Sequence, residues 1–263
     1  MKAWMAGVAA LALTGCVSVE YSEEAGYAPS VETGAQSLRG ADALGETDRS
    51  LHDRVLTMDT HVDIGQGYAT AALDPGGFTR AQVDLPKMRD GGLDAAFFIV
   101  YVGQGLISPI GYDEAAAQAE DKYQAIMRMI RGYRDQIALA TTADEVEAIH
   151  ESGRLVALIG MENSWPLGED LSNVGMWAER GVRYVSITHF GNNQFGGSSN
   201  PNLAQGDPSE DPGLTELGRG LVSELNDHGV MVDVSHVGKR TMLEAIALSR
   251  APVMASHSGA RGV

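Results

Sequence analysis

The sequence of 263 residues predicts an α/β fold built on a parallel sheet. Three observations carry that expectation: continuous apolar β-type runs, amphipathic helical patterns between them, and a polar residue recurring at the end of nearly every run. Runs that are apolar throughout, not alternately, suit strands buried on both faces, as a parallel sheet requires. Strand and helix alternating along a chain is the pattern of βα units.

The elements follow in order. Residues 1–16, "MKAWMAGVAALALTGC", begin with Lys2, run apolar through Leu13 and end in "LTGC". This reads as a secretory signal. The small residues before Cys16 resemble a bacterial lipoprotein cleavage box, which implies cleavage before Cys16, lipidation of its sulfur and attachment to a membrane of the cell envelope. Val17 is not the aspartate associated with inner-membrane retention, so the outer membrane is favoured. Residues 17–50 are polar, acidic and rich in Gly, Ala and Ser, as expected of a flexible tether. The domain is expected over residues 51–263.

Within it, strands are expected at 55–63, 93–102, 155–162, 184–190, 230–236 and 252–258, with a weaker run at 137–141. Between them, Ala116, Ala119, Tyr123, Ile126, Met127 and Ile130 make an apolar stripe in 113–134. Thr142 and Glu145 have capping-box spacing for a helix at about 143–152. Leu214, Leu217, Leu221, Val222 and Leu225 form a second stripe, with Gly229 placed to end that helix. A further helix fits 239–249. The connection 191–213 is long and rich in turn residues, and is expected to be a loop on the substrate side.

Composition excludes several functions. The formal net charge is −16 and no basic run is present, which argues against nucleic acid as a partner. Cys16 is the sole cysteine, so the domain has no disulfide framework, cysteine nucleophile or thiolate metal site. A metal here must be held by imidazole and carboxylate. Beyond the N-terminus, no segment approaches the roughly 20 apolar residues that span a bilayer.

The polar residues follow one rule. In "TMDTHVDIGQGY", Asp59, His61 and Asp63 alternate and are expected to share one face of a strand. Three ionisable groups on a buried face are costly unless a cation compensates them. Glu162, His189, His236 and His257 end later runs in the same way. In a parallel α/β barrel such ends form one rim, where catalytic groups gather. His and carboxylate there could ligate two divalent ions that activate a water. Taken singly, each has a plainer reading: a strand-end His bonded to backbone, or Glu162 paired with Arg183. Asp59 reads as a structural hydrogen-bonding group, and His52, His150 and His228 as solvated.

The motifs "DTHVD", "LIGMEN", "RYVSITHFGNN", "GLTELGRGLVSELNDHGVMVDVSH" and "APVMASHSGAR" together resemble the membrane dipeptidase (renal dipeptidase) family of zinc peptidases, from about Val55 to the last residue. The resemblance implies a (β/α)8 TIM-like barrel of the metal-dependent hydrolase type and two Zn2+ ions, with other divalent metals as alternatives. By position, His61 and Asp63 would bind one zinc, Glu162 would bridge both, and His236 with His257 would hold the second. His189 matches the family histidine that contacts substrate and steadies the tetrahedral intermediate. The implied reaction is attack of a metal-bridged hydroxide on a dipeptide carbonyl. Family members are often dimers, so a homodimer is among the implied partners. Family members also continue with two more strands, so the expectation is a C-terminally truncated barrel with about six of eight strands. Arg261 lies too close to His257 to be the family's carboxylate-binding arginine. Two other readings stay open: a barrel amidohydrolase acting on lactams or esters, and a non-catalytic surface lipoprotein.

Overall fold

The computed structural model describes His52 and residues 54–259, and element boundaries below refer to these. The signal sequence, Cys16, the tether and Arg261 lie outside them. No helix among the described residues is long and apolar enough to cross a membrane.

The apolar runs make the sheet. Its strands are β1 (Met58–Asp63), β2 (Ala95–Tyr101), β3 (Ile137–Leu139), β4 (Leu155–Glu162), β5 (Val182–Ser186) and β6 (Met231–Asp233). The order is β1-β2-β4-β5-β6, with β3 on β4, and every pairing is parallel. This is the α/β architecture expected, an incomplete barrel in which β1 pairs on one edge only among the described residues. All eight residues of β4 are buried, as are six of the seven in β2. Continuous burial is why these strands read as unbroken apolar runs.

The helices are α1 (Leu85–Gly91), α2 (Pro109–Gly132), α3 (Ala143–Glu151), α4 (Ser172–Glu179), α5 (Glu216–Asp227) and α6 (Lys239–Leu248). Ser108 caps α2, accepting from Gly111 N, and Pro109 occupies its first turn, where a missing N–H costs nothing. The buried stripe of α2 runs through Ala115, Ala119, Ile126, Met129 and Ile130. It is rotated from the expected one, leaving Ala116 exposed and Met127 half-buried. Thr142 caps α3 as expected, but the Glu145 carboxylate accepts from Thr141, one residue before the cap. Gly229, at φ 64°, follows α5 in the left-handed conformation that a helix stop favours.

Several boundaries differ from those expected. α1 and α4, at 7 and 8 residues, are too short to show a periodic stripe and were not expected. Strand geometry ends at Ser186 and Asp233, before His189 and His236, and the run at 252–258 contributes a single parallel bridge, Asp233 to Met254. Asp59, His61 and Asp63 do not share a buried face. A register shift between Asp59 and Val62 breaks the alternation, and both aspartates are exposed.

The 191–213 connection is well tied down. Asp207 accepts from Asn192 N and Asn202 N, and Asp211 accepts from Gly213 N, Thr241 N and the Thr241 hydroxyl. Bridges pair Gly196 with Leu214 and Ser198 with Val237. The last of these carries the loop directly to His236.

Candidate metal centre

Glu162 closes β4 with 2% exposure, and four imidazoles surround its carboxylate. Oε2 lies 3.4 Å from His61 Nε2. Oε1 lies 3.0 Å from His236 Nε2, 3.5 Å from His257 Nε2 and 3.8 Å from His189 Nε2. The two oxygens therefore face different histidines. His236 and His257 approach each other most closely, at 2.7 Å between Nε2 atoms.

Each side chain arrives by a distinct local device. His61 is held on β1, where Asp59 Oδ1 accepts from its backbone N–H at 2.9 Å. His189 follows the end of β5, and its carbonyl accepts from the Ser198 hydroxyl. His236 adopts φ 63°, a left-handed conformation rare for a residue with a Cβ. Such strain costs about 1–3 kcal/mol and persists only where the surroundings enforce it. Here the His236 carbonyl accepts from Ser199 N at 2.7 Å and from the Ser198 hydroxyl at 3.3 Å, and its imidazole lies 3.0 Å from Glu162 Oε1.

The electrostatics follow from this crowding. Burial pushes the Glu162 carboxyl up, but hydrogen bonds from His236 and His61 and the charges of His61 and His189 hold it well below the usual carboxylate range. Burial opposes charge on His61 too, yet its bonds to Asp63 and Glu162 and their charges raise it to about 9. His189 is lowered by burial, and His257 by burial and the charge of His61. Positive charge beside the carboxylate is thus favoured on His61 and disfavoured on His189 and His257.

The sequence from residue 46 to 263 matches the model of the membrane dipeptidase family, peptidase family M19. The chain belongs to that family. It is 34% identical over 185 residues to dipeptidase tcpJ of Claviceps purpurea, a match covering 68% of this chain and 42% of that protein. Dipeptidase aclJ of Aspergillus oryzae gives the same identity over 186 residues, again covering 42% of its length. Among solved structures, PvdM of Pseudomonas aeruginosa, described as a probable dipeptidase, superposes with a TM-score of 0.78 at 32% identity, covering 81% of this chain and 55% of that one. A metallopeptidase from Rhodobacter sphaeroides, solved with a phosphinate mimic of the dipeptide L-Ala-D-Ala, gives 0.66 at 26% identity, covering 78% and 65%. The chain spans less than half the length of these curated relatives.

Family membership raises the question of whether the residues fit a metal. Nitrogen and oxygen ligands bound at 2.0–2.1 Å in a tetrahedron sit about 3.3 Å apart. The separations around Glu162, 3.0 to 3.8 Å, bracket that value. Two trios have ligand atoms within 4.8 Å of one another: His61, Glu162 and His257, and Glu162, His189 and His236. The donor chemistry suits a divalent ion of the zinc type.

The structure brings together five of the sequence-derived site residues: His61, Glu162, His189, His236 and His257. Asp63 sits at the margin, its Oδ2 3.6 Å from His61 Nε2 and its side chain 56% exposed. Arg183 does not pair with Glu162; its guanidinium donates to the carbonyls of Thr141, Ala178 and Val182. His150 and His228 lie on other surfaces, beside Asp94 and Glu224, and His52 meets Gly92 O.

Sequence reasoning missed the residues that contact the far sides of these rings. Tyr184 Oη is 3.0 Å from His61 Nδ1, Ser256 Oγ is 3.0 Å from His257 Nδ1, and Tyr101 Oη is 3.4 Å from His189 Nδ1. Asp233 is fully buried beneath them. The adjacency of Ser256 to His257 and the spacing Asp233-x-Ser235-His236 were available as signals, but a Tyr inside an apolar run reads as core.

Proposed function

We propose that this protein hydrolyses dipeptides with the help of two divalent ions, zinc first among them. The observation that carries the reading is the divided carboxylate of Glu162, Oε2 toward His61 and Oε1 toward His236 and His257. A carboxylate presented this way can bridge two ions. His61 with Asp63 would complete one site, and His236 with His257 the other.

When bound, such ions polarise a carbonyl and lower the pKa of water. The chain's own residues do the rest. His189, partly exposed beside the cluster with its Nε2 on the Glu162 side, is placed to donate to the oxygen of the scissile carbonyl as negative charge develops there. Tyr101 beside its Nδ1 and Phe190 against its ring, with centroids 4.5 Å apart, hold the imidazole in place. The buried floor of Glu162, Asn163 and Ser164 excludes water from beneath the cluster. The relatives named as dipeptidases and the dipeptide mimic in the Rhodobacter protein support dipeptides as the substrate class.

The test is turnover by the zinc-loaded chain of a dipeptide panel set against lactams and esters. Dipeptide cleavage lost on chelation and in His236→Ala is the expected result. Cleavage confined to lactams or esters would overturn the dipeptidase reading. The reading also includes lipidation at Cys16, anchoring the protein at the outer membrane, and a homodimer. Support for the anchor is the "LTGC" sequence. Partition into detergent, lost in Cys16→Ser, tests it, and sedimentation tests the dimer.

A further inference from the structure

The hydroxyls on the floor of the cluster have fewer protons than contacts. Four donors converge on Asp233: Ser235 N, Ser235 Oγ and Ser256 N at Oδ1 (3.0, 2.8 and 3.0 Å), and Ser256 Oγ at Oδ2 (2.7 Å). A hydroxyl has one proton to give and two lone pairs. A carboxylate can only accept, so the Ser256 proton goes to Asp233 at its shortest contact, 2.7 Å. Ser256 Oγ then accepts from the His257 ring, whose Nδ1 lies 3.0 Å away. The 3.2 Å approach of Ser235 Oγ to Ser256 Oγ carries no proton, because both hydroxyls give theirs to Asp233. Ser235, its proton also on Asp233, accepts the His257 backbone N–H at 3.2 Å. The same arithmetic holds at Tyr184. Thr60 O can only accept, so the Tyr184 hydroxyl gives its proton there at 3.0 Å and offers a lone pair to His61 Nδ1 at 3.0 Å.

We infer that Asp233, acting through Ser256, and Tyr184 are positioning residues that lock His257 and His61 in their Nδ1–H tautomers, so that both Nε2 lone pairs face the metal ions. This rests on the metal reading above and deepens it. A metal-bound imidazole is oriented by whatever its other nitrogen bonds to. Here one ring answers to a carboxylate through a serine and the other to a backbone carbonyl through a tyrosine. The two chains meet, since Ser256 Oγ is also 3.4 Å from His61 Nδ1 and Ser256 O accepts from the Thr60 hydroxyl at 2.5 Å. Loss of one such partner typically costs 10–100-fold in metal affinity.

The experiment has two arms on the full chain. Co2+ and Zn2+ affinities are measured for the wild type, Ser256→Ala, Ser256→Thr and Tyr184→Phe. Nitrogen-15 NMR of the zinc-loaded wild type reads which ring nitrogen of His61 and His257 carries the proton. The expected result is Nδ1–H on both rings, a 10–100-fold loss of affinity in Ser256→Ala and Tyr184→Phe, and recovery in Ser256→Thr, which restores the hydroxyl. Unchanged affinity in a folded Ser256→Ala, or zinc on Nδ1 of His257, overturns the inference while leaving the metal site standing. If the wild type itself binds neither ion, the metal reading fails, and this inference with it. The NMR arm needs no variant, so zinc found on Nδ1 of His257 or His61 overturns the inference even where Ser256→Ala does not fold, and Tyr184→Phe then carries the affinity test.

Discussion

Gly160, inside β4, should not tolerate even a methyl group. A Cβ built there would lie 2.3 Å from Tyr184 Cζ and 2.6 Å from both Cε atoms, where ordinary contact begins near 3.4 Å. The ring must retreat by about 1 Å, and it is pinned at its tip by Thr60 O and His61 Nδ1, each 3.0 Å away. Overpacking of this kind costs about 1–3 kcal/mol, and each hydrogen bond broken adds about 0.5–1.5 kcal/mol. Replacing a mid-strand glycine by alanine returns about 0.5–1 kcal/mol through chain entropy. Gly160→Ala should therefore destabilise by about 3 kcal/mol, read as a lower midpoint in urea with unchanged slope. The control is Tyr184→Ala, which empties the space; in that background Gly160→Ala should be neutral or mildly stabilising. An equal loss in both backgrounds would show that contact with Tyr184 is not the cause.

The metal-free protein should lose stability as pH rises from about 6.5 through about 9. His61 has its folded pKa raised from 6.5 to about 9, so its contribution is complete below the unfolded value and gone above the folded one. With the side chain 10% exposed, the shift corresponds to about 3 kcal/mol; zinc should abolish this dependence, because the ion replaces the proton, and thermal melts across that range read both. Asp84 acts in the opposite sense. Burial would raise its carboxyl, but bonds from Lys87 N, Thr79 N, the Thr79 hydroxyl and the Lys87 ammonium lower it. Its contribution is present above the unfolded pKa of about 3.9 and lost as pH falls through the lower folded value. Asp84→Asn should cost about 1–3 kcal/mol at neutral pH and flatten the acid limb of the stability curve.

Much of the scaffold was legible because burial and sequence pattern have the same cause. β4 runs from Leu155 to Glu162, the boundaries of its apolar run, since a strand covered on both faces has no polar interruption to blur it. The convergence of His61, Glu162, His189, His236 and His257 was legible for a related reason: parallel strands bring their C-terminal ends to one side. What was hidden depends on backbone detail. The irregularity in β1 exposes Asp63, and no residue type announces it. His236 enters the site through a positive φ enforced by the 191–213 loop, a contact across 37 residues between Ser199 and His236. Tyr184 sits among apolar neighbours, so only its partners reveal that the hydroxyl serves His61.

In the proposed dipeptidase the two oxygens of Glu162 would serve two ions. Metal analysis of the folded, zinc-equilibrated protein beside Glu162→Ala tests this most directly. About two ions per chain are expected in the wild type and weakened binding of both in the variant, because each site loses a ligand. Two ions retained at full affinity in a folded Glu162→Ala, or loss of one with the other untouched, would contradict it.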